Sequence, residues 1–149
     1  MTGFRIGYLA CNNEIAKVIE RLQSQITSNP SSLSQYACLG ALGAGNKFPL
    51  KVAKDLDKRR RYVLKELSGI GGITVGNPKG AFYVLPKVDA HYKGGINGSA
   101  NFSEFLLEKA LLMTVPGIEF GEDRCIRLSY SLSMEEIRRW IERLEKVLQ

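Results

Sequence analysis

Apolar and polar residues follow two rhythms along this chain, and the rhythm changes at asparagines, prolines and glycines. Residues 4–10 read as a strand, with Ile6, Tyr8 and Ala10 on one side. Asn12 or Asn13 then offers an N-cap, and Ile15, Val18, Ile19, Leu22 and Ile26 follow at helical spacing. Pro30 ends that helix, because it disfavours the helical state at Asn29. A second helix is predicted over 33–42, closed by the "GAGN" glycines, which tolerate positive φ. A third covers 50–67, with Ala53, Leu56, Val63 and Leu67 as its apolar stripe, and "SGIGG" stops it.

Downstream the elements shorten. Residues 73–75 and 81–85 read as strands joined by the turn "GNPKG". Residues 87–100 are polar and glycine-rich, so they are expected to form an exposed loop with His91 on the surface. A helix is predicted over 102–110, a short strand over 111–115 and another over 125–130. Ser133 and Glu136 have capping-box spacing for a last helix, whose core face is Met134, Ile137, Ile141, Leu144 and Leu148. Trp140 and Val147 fall off that stripe and are expected to cover a second surface or face a partner segment. The fold class is therefore α/β: the first strand and helix look like the edge of a larger unit, and the rest like an α+β layer.

Composition narrows the function. With 149 residues, 44% of them apolar and 24% charged, the chain has the size and make-up of one soluble domain. No apolar run approaches the roughly 20 residues of a membrane span, and no signal-peptide pattern is present. Cys11, Cys38 and Cys125 are far apart, there is one histidine, and no C-x-x-C pair occurs, so a metal site is not expected. Free thiols in the cytoplasm are the simplest reading. The net charge of +6 raises nucleic-acid binding. Its densest cluster, Lys58 to Arg61, lies in a helical pattern beside Asp55, Asp57 and Glu66, and is better read as a solvated helix face.

Two arginines carry candidate chemistry. Arg5 lies between Gly3 and the first apolar run, where a ligand can approach the backbone closely and a planar fork can hold a phosphate or carboxylate. Arg127 shares one face of "CIRLSYS" with Ser129, while Ile126, Leu128 and Tyr130 take the other. A guanidinium on such a strand needs an anion, because burying it unpaired is costly. From the pattern alone, the anion at either arginine, Arg5 or Arg127, is a ligand or a nearby carboxylate in a structural ion pair. No Ser-His-Asp, P-loop or G-x-G-x-x-G arrangement is present, and "GAGN" follows a helix rather than opening one.

The segments "MTGFRIGY", "QSQITSNPSSLSQYA", "NPKGAFYVLP", "VPGIEFG" and "IRLSYSLSMEEI" occur in that order and span essentially the whole chain. Together they resemble the C-terminal part of class I aminotransferases, the fold-type-I enzymes that use pyridoxal 5'-phosphate, and most closely the bacterial aspartate aminotransferases. The resemblance implies that residues 1–46 form the C-terminal edge of the large cofactor-binding domain with its connecting helices. Residues 47–149 would form the small C-terminal domain. It implies that Arg5 binds the cofactor phosphate and Arg127 the substrate α-carboxylate. Ser28 and Asn29 would lie near the cofactor phosphate of the neighbouring subunit of a homodimer, and Phe82 would line the substrate entrance. The implied partners are an amino acid and a 2-oxo acid, with neither nucleic acid nor membrane.

Two departures qualify the resemblance. The family's Schiff-base lysine lies just before "MTG", and its cofactor-ring residues lie further upstream. Lys17 and Lys47 do not match the lysine motif. Met1 is thus expected to be an internal methionine, and the chain alone is expected to lack transaminase activity. The family's aspartate enzymes of animals and enterobacteria carry a distal-carboxylate arginine at the place of Ser24 here. The distal anion is then read by an upstream residue, or the substrate is not dicarboxylic; aspartate stays first. The alternatives are a non-catalytic dimerising or regulatory module of the same fold, and a different enzyme on the scaffold, such as a lyase, a synthase or a diaminopimelate aminotransferase.

Overall fold

The structure, a computed structural model, describes residues 1–149. The chain divides into two compact units, Met1–Leu50 and Lys51–Gln149.

The first unit is helical. Thr2–Phe4 forms a single 3₁₀ turn, and Arg5 follows in left-handed backbone at φ 48°. The strand expected over 4–10 does not form, because this unit contains no second strand to pair with it. Helix α1, Asn13–Ile26, starts at Asn12, whose Oδ1 accepts the Ile15 amide at 2.9 Å. Helix α2 covers Ser32–Gly43. Of the two glycines in "GAGN", Gly43 ends the helix and only Gly45 takes positive φ, at 71°. Ser34 is the one buried side chain of α2, and its hydroxyl donates to the Phe4 carbonyl at 2.9 Å. The periodic apolar residues of α1 and α2, including Val18, Leu22, Ile26, Leu33 and Tyr36, are exposed.

The second unit holds the hydrophobic core. Helix α3, Lys47–Gly69, begins in the last four residues of the first unit, admits Pro49 in that first turn, where an amide has no intrahelical partner, and buries Val63 and Leu67 in the second. The sheet is antiparallel, in the order β1–β3–β2, with β1 Tyr83–Val84, β2 Val115–Pro116 and β3 Ile126–Ser129. Tyr83 stands opposite Ser129, and Val115 opposite Arg127. Helix α4, Ser99–Ala110, and helix α5, Met134–Leu148, contact each other and bury Phe102, Leu106, Ile137 and Leu144. The capping box of α5 forms as read, with Ser133 Oγ accepting the Glu136 amide at 3.2 Å and Glu136 Oε2 accepting the Ser133 amide at 2.9 Å.

Four expectations change in this unit. Residues 73–75 make one bridge, Thr74 to Lys87, rather than a strand. Leu111 is not a strand residue but the left-handed cap of α4, at φ 52°, which leaves only Val115–Pro116 to pair. Trp140 is not on a second surface; it is 8% exposed within the core, because α5 is covered over a wider arc than one stripe. The 87–100 stretch is anchored rather than loose. Val88 is fully buried, Asp89–His91 forms a 3₁₀ turn, and half-buried His91 donates from Nε2 to the Gly71 carbonyl at 2.9 Å.

Candidate functional site

The alternation along β3 sets the site. Ile126 and Leu128 point into the core, and Arg127 and Ser129 take the half-buried face, as the sequence predicts. The neighbouring strand and the turn after β2 each bring an aromatic ring to Arg127. Its Cζ lies 4.5 Å from the centre of the Tyr83 ring and 4.5 Å from that of Phe120. Ring faces carry negative potential, so they stabilise the cation without neutralising it. Arg127 joins none of the ion pairs of the structure, which excludes the structural-ion-pair reading within this chain. It opens on a hollow of about 470 Å³, lined also by Asn77, Pro78, Tyr83, Leu85 and Phe120. A half-buried cation with apolar walls and no internal counter-charge is a place for a small carboxylate.

Phe120 owes its position to a tightly closed turn. The Gly117 amide donates to the Cys125 carbonyl at 2.9 Å, and the Glu122 amide to the Gly117 carbonyl at 3.1 Å. A Cβ at Gly117 would meet the carbonyl oxygens of Cys125 and Glu122 at 2.2 Å each, so the close approach admits only glycine. Asp123 pins the turn to α4: its Oδ1 accepts the Ser99 amide at 2.9 Å and hydroxyl at 2.7 Å, and Ser99 Oγ accepts the Ile118 amide at 3.0 Å. The Ser99 hydroxyl and amide hold the Asp123 carboxyl below the usual carboxylate range. Tyr92 donates to the Asp123 carbonyl at 2.7 Å, and burial, followed by the Asp123 charge, pushes its hydroxyl up to about 12. Burial also raises the Cys125 thiol, leaving it little thiolate character.

The first unit holds the other arginine. Arg5 is exposed and also joins no ion pair. It lines a hollow of about 780 Å³ together with Gln23, Thr27, Asn29 and Ser31. A guanidinium with no carboxylate partner, bonded only at 3.5 Å to the Thr2 carbonyl and set beside hydroxyls and amides, is a donor set that suits a phosphate, so these residues fit the phosphate end of pyridoxal 5'-phosphate. Ser28, at φ 60°, is not among the lining residues.

Phe82 packs against the core, its ring 4.5 Å from that of Tyr83, and does not line the Arg127 hollow. Tyr83 and Phe120 are the aromatic neighbours that sequence reasoning missed. Pairing of β1 with β3 turns Tyr83 toward Arg127, and pairing is not written in two residues of strand. Phe120 carried no periodic signal; its flanking glycines in "PGIEFG" marked a turn only. No helix is long and apolar enough to cross a membrane, no cluster of His, Cys, Asp and Glu suits a metal, and the three cysteines are free.

A family model for aminotransferases of class I and II matches residues 1–144. A probable aspartate/prephenate aminotransferase of Aquifex aeolicus is 44% identical over 151 residues, covering 100% of this chain and 38% of the relative. A bifunctional aspartate aminotransferase and glutamate/aspartate-prephenate aminotransferase of Petunia hybrida is 38% identical, covering 99% of this chain and 33% of the relative. The chain thus spans well under half the length of these curated relatives. The crystal structure of an aspartate aminotransferase from Rhizobium meliloti superposes with a TM-score of 0.86 at 34% identity, covering 99% of this chain and 38% of that one. Mixed helix and sheet of this kind is part of the fold-type-I α/β architecture. The chain belongs to the class I and II aminotransferase family.

Proposed function

We propose that this chain is the C-terminal portion of a homodimeric, pyridoxal-phosphate-dependent aminotransferase that moves an amino group from an amino acid, aspartate first, to a 2-oxo acid. Residues 1–46 are the edge of its large domain with the connecting helices, and residues 47–149 its small domain. The observation that carries the proposal is Arg127: half-buried between Tyr83 and Phe120, free of any carboxylate, and open to a hollow of about 470 Å³. Its fork holds the substrate α-carboxylate in two parallel hydrogen bonds, which orients the amino group for transfer. The rings beside it limit water around the ion pair and so strengthen it.

Arg5 holds the cofactor phosphate, supported by its uncompensated charge and by Thr27 and Ser31 around the same hollow. Ser28 and Asn29, on the turn between α1 and α2, are proposed to serve the phosphate of the neighbouring subunit. Phe82 is proposed to border the substrate entrance through its contact with Tyr83. When bound, pyridoxal phosphate supplies the electron sink for breaking the bonds at the α-carbon. None of the lysines here sits in the family's lysine motif, so the proton-transferring lysine is assigned to a longer polypeptide, and this chain alone is proposed to be inactive. We assign the protein to the cytoplasm, in keeping with the free thiols of Cys11, Cys38 and Cys125.

The test is Arg127→Ala in the full-length enzyme, with steady-state kinetics against the amino acid. Loss of a bidentate, charge-assisted pair should raise KM by about 100-fold, while Arg127→Lys recovers only part of it. An unchanged KM in Arg127→Ala removes Arg127 from the substrate site.

A further inference from the structure

Residues 76–81 form a wall without backbone support. No backbone–backbone hydrogen bond involves any of them. Asn77 and Pro78 nevertheless line two hollows at once: the Arg127 hollow, and a second of about 460 Å³ lined by Asp57, Arg60, Lys79 and Tyr130. A segment that shapes a ligand hollow but makes no ladder needs side-chain tethers to stay in one place.

The structure has two such tethers. At one end, the Tyr130 hydroxyl donates to the Ala81 carbonyl at 3.1 Å. At the other, Arg60 Nη1 donates to Asn77 Oδ1. Arg60 is itself held: its Nε and Nη2 donate to Asp57 Oδ1 at 3.0 and 2.7 Å, one helical turn away on α3. Arg61 pairs with the other carboxylate oxygen, Oδ2, at 2.9 Å, so both oxygens of Asp57 are engaged. The Arg60 side chain is 21% exposed, against 67% for Arg61 and 64% for Lys58 in the same basic run. The run is therefore not uniform, and one of its members is drawn inward and shared between a helix and a loop.

We propose that Arg60 is a positioning residue of the substrate site: clamped by Asp57, it holds Asn77 and thereby fixes the wall that Asn77 and Pro78 present to the Arg127 hollow. Arg60 does not touch substrate. It acts through Asn77, and its removal lets residues 76–79 move, widening the hollow and loosening the bound carboxylate. The inference rests on Arg127 being the carboxylate ligand.

The test is a double-mutant cycle in the full-length enzyme with Arg60→Met and Asn77→Ala, Arg61→Met as a control and Arg127→Ala measured alongside. Each single variant should raise KM for the amino acid about five- to tenfold, the scale of one part-exposed hydrogen bond to a charged group, with kcat within about twofold. The double variant should equal either single one rather than their product, because both remove the same tether. Arg61→Met should leave KM unchanged. An unchanged KM in Arg60→Met, or multiplying effects in the double variant, overturns the proposal. If Arg60→Met does not fold, Asn77→Ala, at an exposed loop position, decides alone: an unchanged KM overturns the tether. If those variants leave KM unchanged while Arg127→Ala raises it, only the tether is wrong. If Arg127→Ala leaves KM unchanged, the carboxylate reading fails and the tether falls with it.

Discussion

The Arg127 guanidinium carbon and the Phe120 ring centre lie 4.5 Å apart, although one residue is on a central strand and the other on a 3₁₀ turn. Gly117 makes the turn tight enough to bring Phe120 back over β3, and Ser99 with Asp123 locks it against α4. The cation is thus desolvated by a ring rather than neutralised by a carboxylate, which leaves its charge for a ligand. Phe120→Leu removes the ring face and keeps much of the apolar volume. KM for the amino acid should rise about 3- to 10-fold, the range of a part-exposed cation–π contact, with little change in melting temperature. Kinetics and circular dichroism on the same preparation check both halves.

The α5 cap offers a stability prediction separate from the site. Ser133 Oγ and Glu136 close a reciprocal box at the start of a helix that buries Ile137, Trp140, Ile141 and Leu144. Ser133→Ala should destabilise the fold by about 1 kcal/mol. Urea unfolding should show a lower midpoint with an unchanged slope, since the exposed area on unfolding stays the same.

A pH dependence follows from the Glu122–Arg124 pair. Arg124 donates to both carboxylate oxygens, at 2.7 and 2.6 Å, and this holds the Glu122 carboxyl down at about 2, against an ordinary 4.5. A folded-state value below the unfolded one means that the pair contributes stability above about 4.5, and that the contribution is lost as pH falls toward about 2. Glu122→Gln should therefore be less stable than the parent at pH 7, and the gap should close on acidification through that window. Melting temperatures of the two proteins between pH 7 and pH 2.5 measure it; a gap that stays constant would remove the pair from the acid response.

The first unit predicts association. Val18, Leu22 and Ile26 on α1 are 64%, 58% and 68% exposed, and Leu33 and Tyr36 on α2 are 78% and 76% exposed. Exposed apolar faces of this kind are buried by contact with other protein. Expressed by itself, the chain should sediment as a concentration-dependent mixture larger than a monomer. Val18→Lys with Leu22→Lys should shift the distribution toward monomer. A monodisperse, stable monomer of the unaltered chain would contradict the prediction.

Much of the helical content was legible, because a helix writes its buried face in spacing and its ends in caps. Asn12, Ser133 and Glu136 act locally, within three residues, so the sequence contains the whole interaction. The alternation of Ile126, Arg127, Leu128 and Ser129 was legible for the same reason: side chains on a strand alternate whatever the strand pairs with. The strand expected over 4–10 was not, since a strand is completed only by a neighbour, and this unit contains none. Trp140 was misplaced because the width of a helix's buried arc depends on what packs against it.

The candidate site divides along the same line. Sequence alone singled out Arg5 and Arg127 as cations set in apolar or glycine-rich surroundings, and the order of the motifs pointed to one family. It did not show that Arg127 lacks a carboxylate partner, that Tyr83 and Phe120 flank it, or that Arg60 reaches Asn77 across 17 residues. Those relationships join segments distant in the chain through strand register, a closed turn and a loop laid on a helix. Local spacing determines which face a side chain takes; what meets it there depends on packing between elements, and only the folded chain contains that.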